Sequence, residues 1–128
     1  MTRIYKEFTF EAGHFLPSAP PGHPNSRFHG HSFLVRVTVE GEPNTETGLI
    51  VDFEDFAACL AGARDKLDHR LLNEIDGLET PSLERLSAWT WRELAPHLPG
   101  LAEVEVSRPS CHEGCIYTGP SNRSPETP

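Results

Sequence analysis

No run of apolar residues in this 128-residue chain approaches the length of a membrane span, and the N-terminus shows no signal-peptide core. Basic charge is scarce: 11 Lys and Arg face 19 Asp and Glu, for a formal net charge of −8. A phosphate-backbone binder needs a basic face, so nucleic acid is not an expected partner. A small anionic molecule met by local arginines is not excluded, and Arg27 and Arg70 are the candidates for meeting it. Cysteine is too sparse for a disulfide framework. The three present, Cys59, Cys111 and Cys115, are an odd set that suits a reducing compartment. The expectation is a soluble, cytoplasmic chain with no membrane partner. No internal repeat is visible. The length suffices for one domain with a real core.

Histidine is where the chemistry concentrates. His29-Gly30-His31 opens an alternating stretch that continues through Phe33, Val35, Val37 and Val39. Residues two apart on a strand point to the same face, so both histidines share the face of those apolar residues. An earlier stretch ends at His14, which shares parity with Phe8, Phe10 and Ala12. If the two stretches pair as antiparallel neighbours, the end of the first lies beside the start of the second. Three imidazoles then converge at one end of an apolar face. Three nitrogens with an open fourth position is the arrangement of a catalytic zinc site. Cys111 and Cys115 are four apart rather than the usual three, with no second cysteine pair, so no separate zinc site is read there.

The rest of the pattern sets the architecture. Strands are expected at 4–14 and 29–40, a Pro- and Gly-rich loop at 15–28, and a short strand at Leu49-Ile50-Val51. Asp52 is placed to cap a helix ending near Leu67, with Phe53, Phe56, Leu60 and Leu67 as its apolar stripe. Ser82 is placed to cap a second helix carrying Leu83, Leu86, Trp89 and Leu94, closed by Pro96 and Pro99-Gly100. Trp89 and Trp91 face different ways, as core or subunit contacts. Strands at 102–106 and 114–118 close the fold. The expected class is α+β: a four-stranded antiparallel sheet with two helices on one face, in one domain over 1–119. Residues 120–128 hold three prolines and no large apolar residue, and are expected to be a disordered tail. Open sheet edges invite association.

With these residues placed, the chain resembles the 6-pyruvoyl- and 6-carboxy-tetrahydropterin synthase family. The segments that carry the resemblance are Phe10-Glu11-Ala12-Gly13-His14, His29-Gly30-His31-Ser32, Gly48-Leu49-Ile50-Val51-Asp52-Phe53, Leu67-Asp68-His69-Arg70-Leu71-Leu72-Asn73 and Gly114-Cys115-Ile116-Tyr117-Thr118-Gly119. The resemblance implies the tunnelling fold, an oligomeric barrel assembled as a hexamer of two trimers. It also implies a pterin pocket between subunits and zinc held by His14, His29 and His31. Asp68 and His69 match two members of the family's catalytic triad, and Ser82 matches a substrate-binding hydroxyl.

Two positions depart from the family. Asn25 stands where the catalytic cysteine belongs, in the run His23-Pro24-Asn25-Ser26-Arg27-Phe28-His29. A thiolate accepts a proton from carbon; a neutral carboxamide does not do so usefully near pH 7. Pro109 stands eight residues before Tyr117, where the family places a glutamate that holds the pterin's guanidine-like edge, and Glu113 is the nearest candidate to replace it. Ordinary synthase activity is therefore expected to be weak or absent. The chain is read as a zinc-dependent homologue with altered or lost chemistry on a pterin-like substrate. The alternatives are a non-catalytic pterin-binding protein and a zinc-water hydrolase acting on a pterin- or purine-like base.

Overall fold

Strict alternation makes the first two strands. β1 spans Thr2–His14 and β2 spans His29–Gly41, paired antiparallel from Thr2 opposite Gly41 to His14 opposite His29. The computed structural model describes residues 1–121. Helix α1 covers Phe53–Leu67 and α2 covers Leu83–Leu94. The remaining strands are β3 (Arg70–Leu71), β4 (Leu101–Arg108) and β5 (Glu113–Tyr117).

Both helices start where a side chain can satisfy an orphan amide. The Asp52 carboxylate accepts from Glu54 N at 2.7 Å, and the Ser82 hydroxyl accepts from Arg85 N at 3.2 Å. Glu54 and Asp55 sit at the positive end of α1, with Arg64 and Lys66 in its last turn. The helices cover one sheet face. Phe10, Phe33, Val35, Val37, Val39, Val104 and Val106 are buried there with Phe56, Leu60 and Leu67 of α1 and Leu86, Trp89 and Leu94 of α2. The other face is polar: Arg36 pairs with Glu7 at 2.9 Å and lies 4.4 Å above the Tyr5 ring. Trp91, expected to face away from Trp89, meets Tyr117 edge-on.

The sheet has five strands in the order β3-β1-β2-β4-β5, which corrects the expected four. It is mixed rather than wholly antiparallel, because β3 runs parallel to β1 with Ala12 opposite Arg70. The extra strand arises where α1 stops: the His69 amide donates to the Glu11 carbonyl, and the next two residues continue the pairing. The strand expected at Leu49–Val51 does not form. That segment closes on itself instead. Asn44 N donates to the Leu49 carbonyl, and the Asn44 side chain accepts from Glu46 N and Thr47 N. Backbone groups satisfied locally have no need of a ladder. Ile50 still contributes, packed on the core's edge beside Gly41.

Phe33 stacks on Phe10 with ring centroids 4.8 Å apart, directly beneath the histidine end of the sheet. Both rings are almost fully buried. Phe33→Ala is expected to cost about 3–5 kcal/mol, read from denaturant midpoints at unchanged m-value. A loss below about 1 kcal/mol would mean this end of the core is loosely packed. No helix among the described residues is long and apolar enough to cross a membrane. Most of the tail expected to be disordered, 122–128, lies outside the described residues.

Candidate metal centre and its pocket

The antiparallel register does to the histidines what parity anticipates. His14 is the last residue of β1 and sits opposite His29, the first of β2; His31 sits opposite Ala12. The three side chains each offer a nitrogen, and these atoms lie within 4.8 Å of one another. This is the one such His, Cys, Asp or Glu cluster found among the described residues. The cysteine pair of the last hairpin belongs to no such cluster: Cys115 meets the Ser87 hydroxyl, and Cys111 is exposed.

The hydrogen bonds decide how the imidazoles present themselves. Nδ1 of His14 donates to the Pro81 carbonyl at 3.0 Å, and Nδ1 of His29 donates to the Arg27 carbonyl at 2.7 Å. A carbonyl can only accept, so each neutral ring carries its proton on Nδ1. The two Nε2 lone pairs then face each other at 3.0 Å with no proton between them. Nε2 of His31 is buried and has no partner among the described residues. Two facing lone pairs beside a third buried, unpartnered nitrogen are costly unless a cation takes them up. Carbonyl partners on Nδ1 are also the usual way a ligating histidine is held in its tautomer and orientation. On chemistry and placement the residues fit a divalent metal.

Burial agrees. The His14 pKa is lowered to about 4, chiefly by desolvation, with the Pro81 hydrogen bond opposing. His31 is lowered as well, by burial first and then by the nearby Arg108 charge. Both rings stay neutral where a ligand must be neutral. A stability consequence follows. Between pH 6.5 and 4 the unfolded chain takes up a proton on His14 that the folded chain refuses, so metal-free stability falls as pH falls through that window. Denaturation midpoints measured from pH 7 to 4 should drop more steeply for the parent than for His14→Gln. Equal slopes would contradict the lowered His14 pKa.

A cavity of about 560 Å³ opens beside the trio. His29 and His31 line it together with Asn25, Arg27, Arg108 and Glu113. Asn25 therefore does sit at the metal site's mouth. Its backbone is held on both sides: its amide donates to His23 Nδ1 at 3.0 Å, and its carbonyl accepts from Leu16 N at 2.7 Å. Glu113 reaches the cavity, paired with Arg108 at 3.2 Å. Sequence reading missed Arg108. Its signal was its place as the last residue of a strand that alternates inward through Val104 and Val106. Ser82 does not line the cavity; its hydroxyl is engaged as the cap of α2, next to the Pro81 carbonyl that holds His14.

Asp68 and His69 lie elsewhere. His69 lines a second cavity, of about 450 Å³, with Glu11, Gly13, Gly30, His31 and Ser32. Glu11 and Ser32 alternate away from the histidine face, and their side chains bond each other at 2.7 Å, so this cavity reaches the other face of the sheet. Neither Asp68 nor His69 lines the cavity that holds Asn25. The dyad is nonetheless well built. Asp68 accepts from His69 Nδ1 at 2.9 Å and from Glu11 N at 2.9 Å, with Arg64 at 3.3 Å. The Glu11 amide, then the His69 bond, hold the Asp68 pKa below its ordinary value. His69 adopts a left-handed φ of 58°, uncommon for a non-glycine residue.

Comparisons with known proteins agree on one family. The profile described as 6-pyruvoyl tetrahydropterin synthase matches residues 3–120. A 6-carboxy-5,6,7,8-tetrahydropterin synthase from Synechocystis sp. is 40% identical over 125 residues, covering 91% of this chain and 93% of the relative. A dihydroneopterin monophosphate aldolase from Pyrococcus furiosus is 33% identical over 112 residues, covering 88% and 90%. The fold matches the 6-pyruvoyl tetrahydropterin synthase of Caenorhabditis elegans with a TM-score of 0.82 at 20% identity, over 93% of this chain and 96% of that one.

Proposed function

The chain belongs to the 6-pyruvoyl tetrahydropterin synthase family, and from that membership we propose that it binds a pterin-like substrate at zinc held by His14, His29 and His31, with synthase chemistry altered by the loss of the thiol. The observation that carries the reading is the facing pair of Nε2 lone pairs on His14 and His29, with Asn25 in the adjoining cavity. Zinc bound there would supply Lewis-acid polarisation of the hydroxyls on the pterin's side chain.

The chain's own residues set what can follow. Asn25 offers no group able to remove a proton from carbon. His69, oriented by Asp68, is the one imidazole pair-built for proton transfer, and it does not line the cavity that holds Asn25. It would serve a ligand in the Asn25 cavity at a boundary where a second copy brings its own trio close. That split supports a homo-oligomer, a hexamer of two trimers, with sites between subunits. Glu113 and Arg27 are assigned to ligand binding at the cavity; Ser82, the third residue expected to bind the ligand, caps α2 and does not line it. The assigned compartment is the cytoplasm, and the single domain covers 1–119.

A second reading is favoured by Asn25 and by the 33%-identical aldolase. Aldol-type cleavage begins by taking a proton from a side-chain hydroxyl, not from carbon. The carbon–carbon bond next to that hydroxyl breaks, an aldehyde leaves, and the ring-side carbon takes up a proton. His69 suffices as the base for such a step, and a missing thiolate costs nothing.

The deciding experiment gives the zinc-loaded protein dihydroneopterin triphosphate and follows binding, pterin product and aldehyde release separately. The expected result is binding, with synthase product formed at least about 100-fold more slowly than by a cysteine-containing synthase. Equal turnover would overturn the altered chemistry. Binding without any product would leave a pterin-binding protein; no binding would remove the pterin reading and favour a hydrolase on another base.

A further inference from the structure

Two buried side-chain polar atoms lack a hydrogen-bond partner among the described residues: Nε2 of His31 and Nε of Arg108. Both residues line the same cavity. The coincidence has chemical content. The histidine nitrogen, as an unprotonated ligand, would take a cation, and the arginine N–H needs an acceptor. A buried donor left without one costs about 1–3 kcal/mol, more when it is charged.

Glu113 does not fill that need. Its Oε1 meets one terminal nitrogen of Arg108 at 3.2 Å, which leaves the Nε edge of the fork unused. Glu113 is half-exposed while Arg108 is mostly buried, so the carboxylate holds the guanidinium from the solvent side. Charge balance points the same way. Arg108 stands close enough for its charge to bear on both His14 and His31. A divalent ion on the trio, the Arg108 guanidinium and Arg27 at the cavity's wall make a strongly positive pocket, with Glu113 as its one lining carboxylate. This happens inside a chain of net charge −8. Cations gathered in a partly buried cavity are stable when an anion completes them.

The location sharpens the point. Pro109 opens a short 3-10 turn, and the residue that enters the cavity from the end of β4 is Arg108. A cation thus stands one residue from the position where an acidic ligand anchor was expected. The guanidinium fork matches the geometry of a carboxylate or phosphate.

Resting on the pterin reading above, we propose that Arg108 is a specificity-determining residue that receives an oxyanion of the ligand, a carboxylate or a phosphate monoester. Glu113 is a positioning residue that orients the fork. Neutral pterins bind this pocket poorly, and anionic ones bind it well.

The test is calorimetric titration of the zinc-loaded protein with three probes: neutral dihydroneopterin, dihydroneopterin monophosphate and 6-carboxypterin. At least one anionic probe should bind roughly 10- to 100-fold tighter than the neutral one, and which one does so tells phosphate from carboxylate. Arg108→Gln should collapse that ratio to within about threefold while leaving the neutral probe's affinity in place, and Arg108→Lys should restore part of it. Circular dichroism and zinc content check that both variants fold and load. An equal affinity for all three probes, or a ratio that survives Arg108→Gln, overturns the proposal. If no pterin binds, inorganic phosphate is titrated instead. Thermal stabilisation of the parent but not of Arg108→Gln would uphold the oxyanion site and reject the pterin; no stabilisation of either would reject both.

Discussion

His31→Ala is expected to lower zinc affinity by more than about 100-fold while leaving the protein folded. Disturbing the residues behind a ligand already costs 10- to 100-fold, and removing the ligand itself costs more. His31 is the right choice among the three. His14 is fully buried and hydrogen-bonded to the Pro81 carbonyl, so its loss would disturb α2 as well as the ion. His31 is half-buried, and its Nε2 serves no partner among the described residues. Competition against a chromogenic chelator gives the affinity, and circular dichroism the fold. Cys111→Ser and Cys115→Ser are the controls and should change nothing, since neither thiol belongs to the cluster. Unchanged affinity in His31→Ala, or a loss in the cysteine variants, would show that zinc sits elsewhere.

Asn25→Cys should raise conversion of dihydroneopterin triphosphate by about two to four orders of magnitude, the usual worth of a positioned general base. The site is prepared for the exchange. The Asn25 backbone is pinned by His23 and Leu16, so a new side chain at that position starts from the same place in the cavity. Cysteine is smaller than asparagine, and no overpacking opposes it. The gain should follow the thiolate: the rate of Asn25→Cys rises with pH and is lost on alkylation, while Asn25→Ala stays at the parent's level. A flat response to Asn25→Cys, with zinc and pterin still bound, would falsify the thiol's absence as the reason for slow synthase chemistry. Aldehyde release that proceeds equally well in the parent and Asn25→Ala would then favour the aldol-type reading.

Much of this was legible in the chain because it rests on local rules. Alternation placed His14, His29 and His31 on one face, and Asp52 and Ser82 announced both helices through their caps. The missing pieces depend on distant partners. β3 is two residues long, far below what periodicity can reveal, and it exists because the His69 amide finds the Glu11 carbonyl. Leu49–Val51 has the composition of a strand, but Asn44 consumes the backbone groups a ladder would use. Arg108 was invisible for a different reason. A single arginine in sequence reads as solvated, and only the cavity around it shows a buried donor with nothing to bond. The separation of Asp68–His69 from the Asn25 cavity was likewise out of reach, because adjacency in a motif says nothing about which cavity a loop lines.

The hydrogen bond from His14 to the Pro81 carbonyl joins positions 67 residues apart. The two strands that bring the histidines together are consecutive in the chain, joined by the loop 15–28, and can pair before α2 forms. Early pairing alone leaves the His14 ring free to spin and to present either nitrogen. Only when the segment before α2 has docked is Nε2 committed to the centre. Capture of an ion there would thereby fall late in folding, after this long-range contact has been made. A nascent hairpin still emerging from the ribosome would bind a passing metal weakly and release it. The finished chain would hold on to the ion, and the ion in turn would slow the undocking of α2, so that dissociation of the metal and opening of the second helix should share one rate.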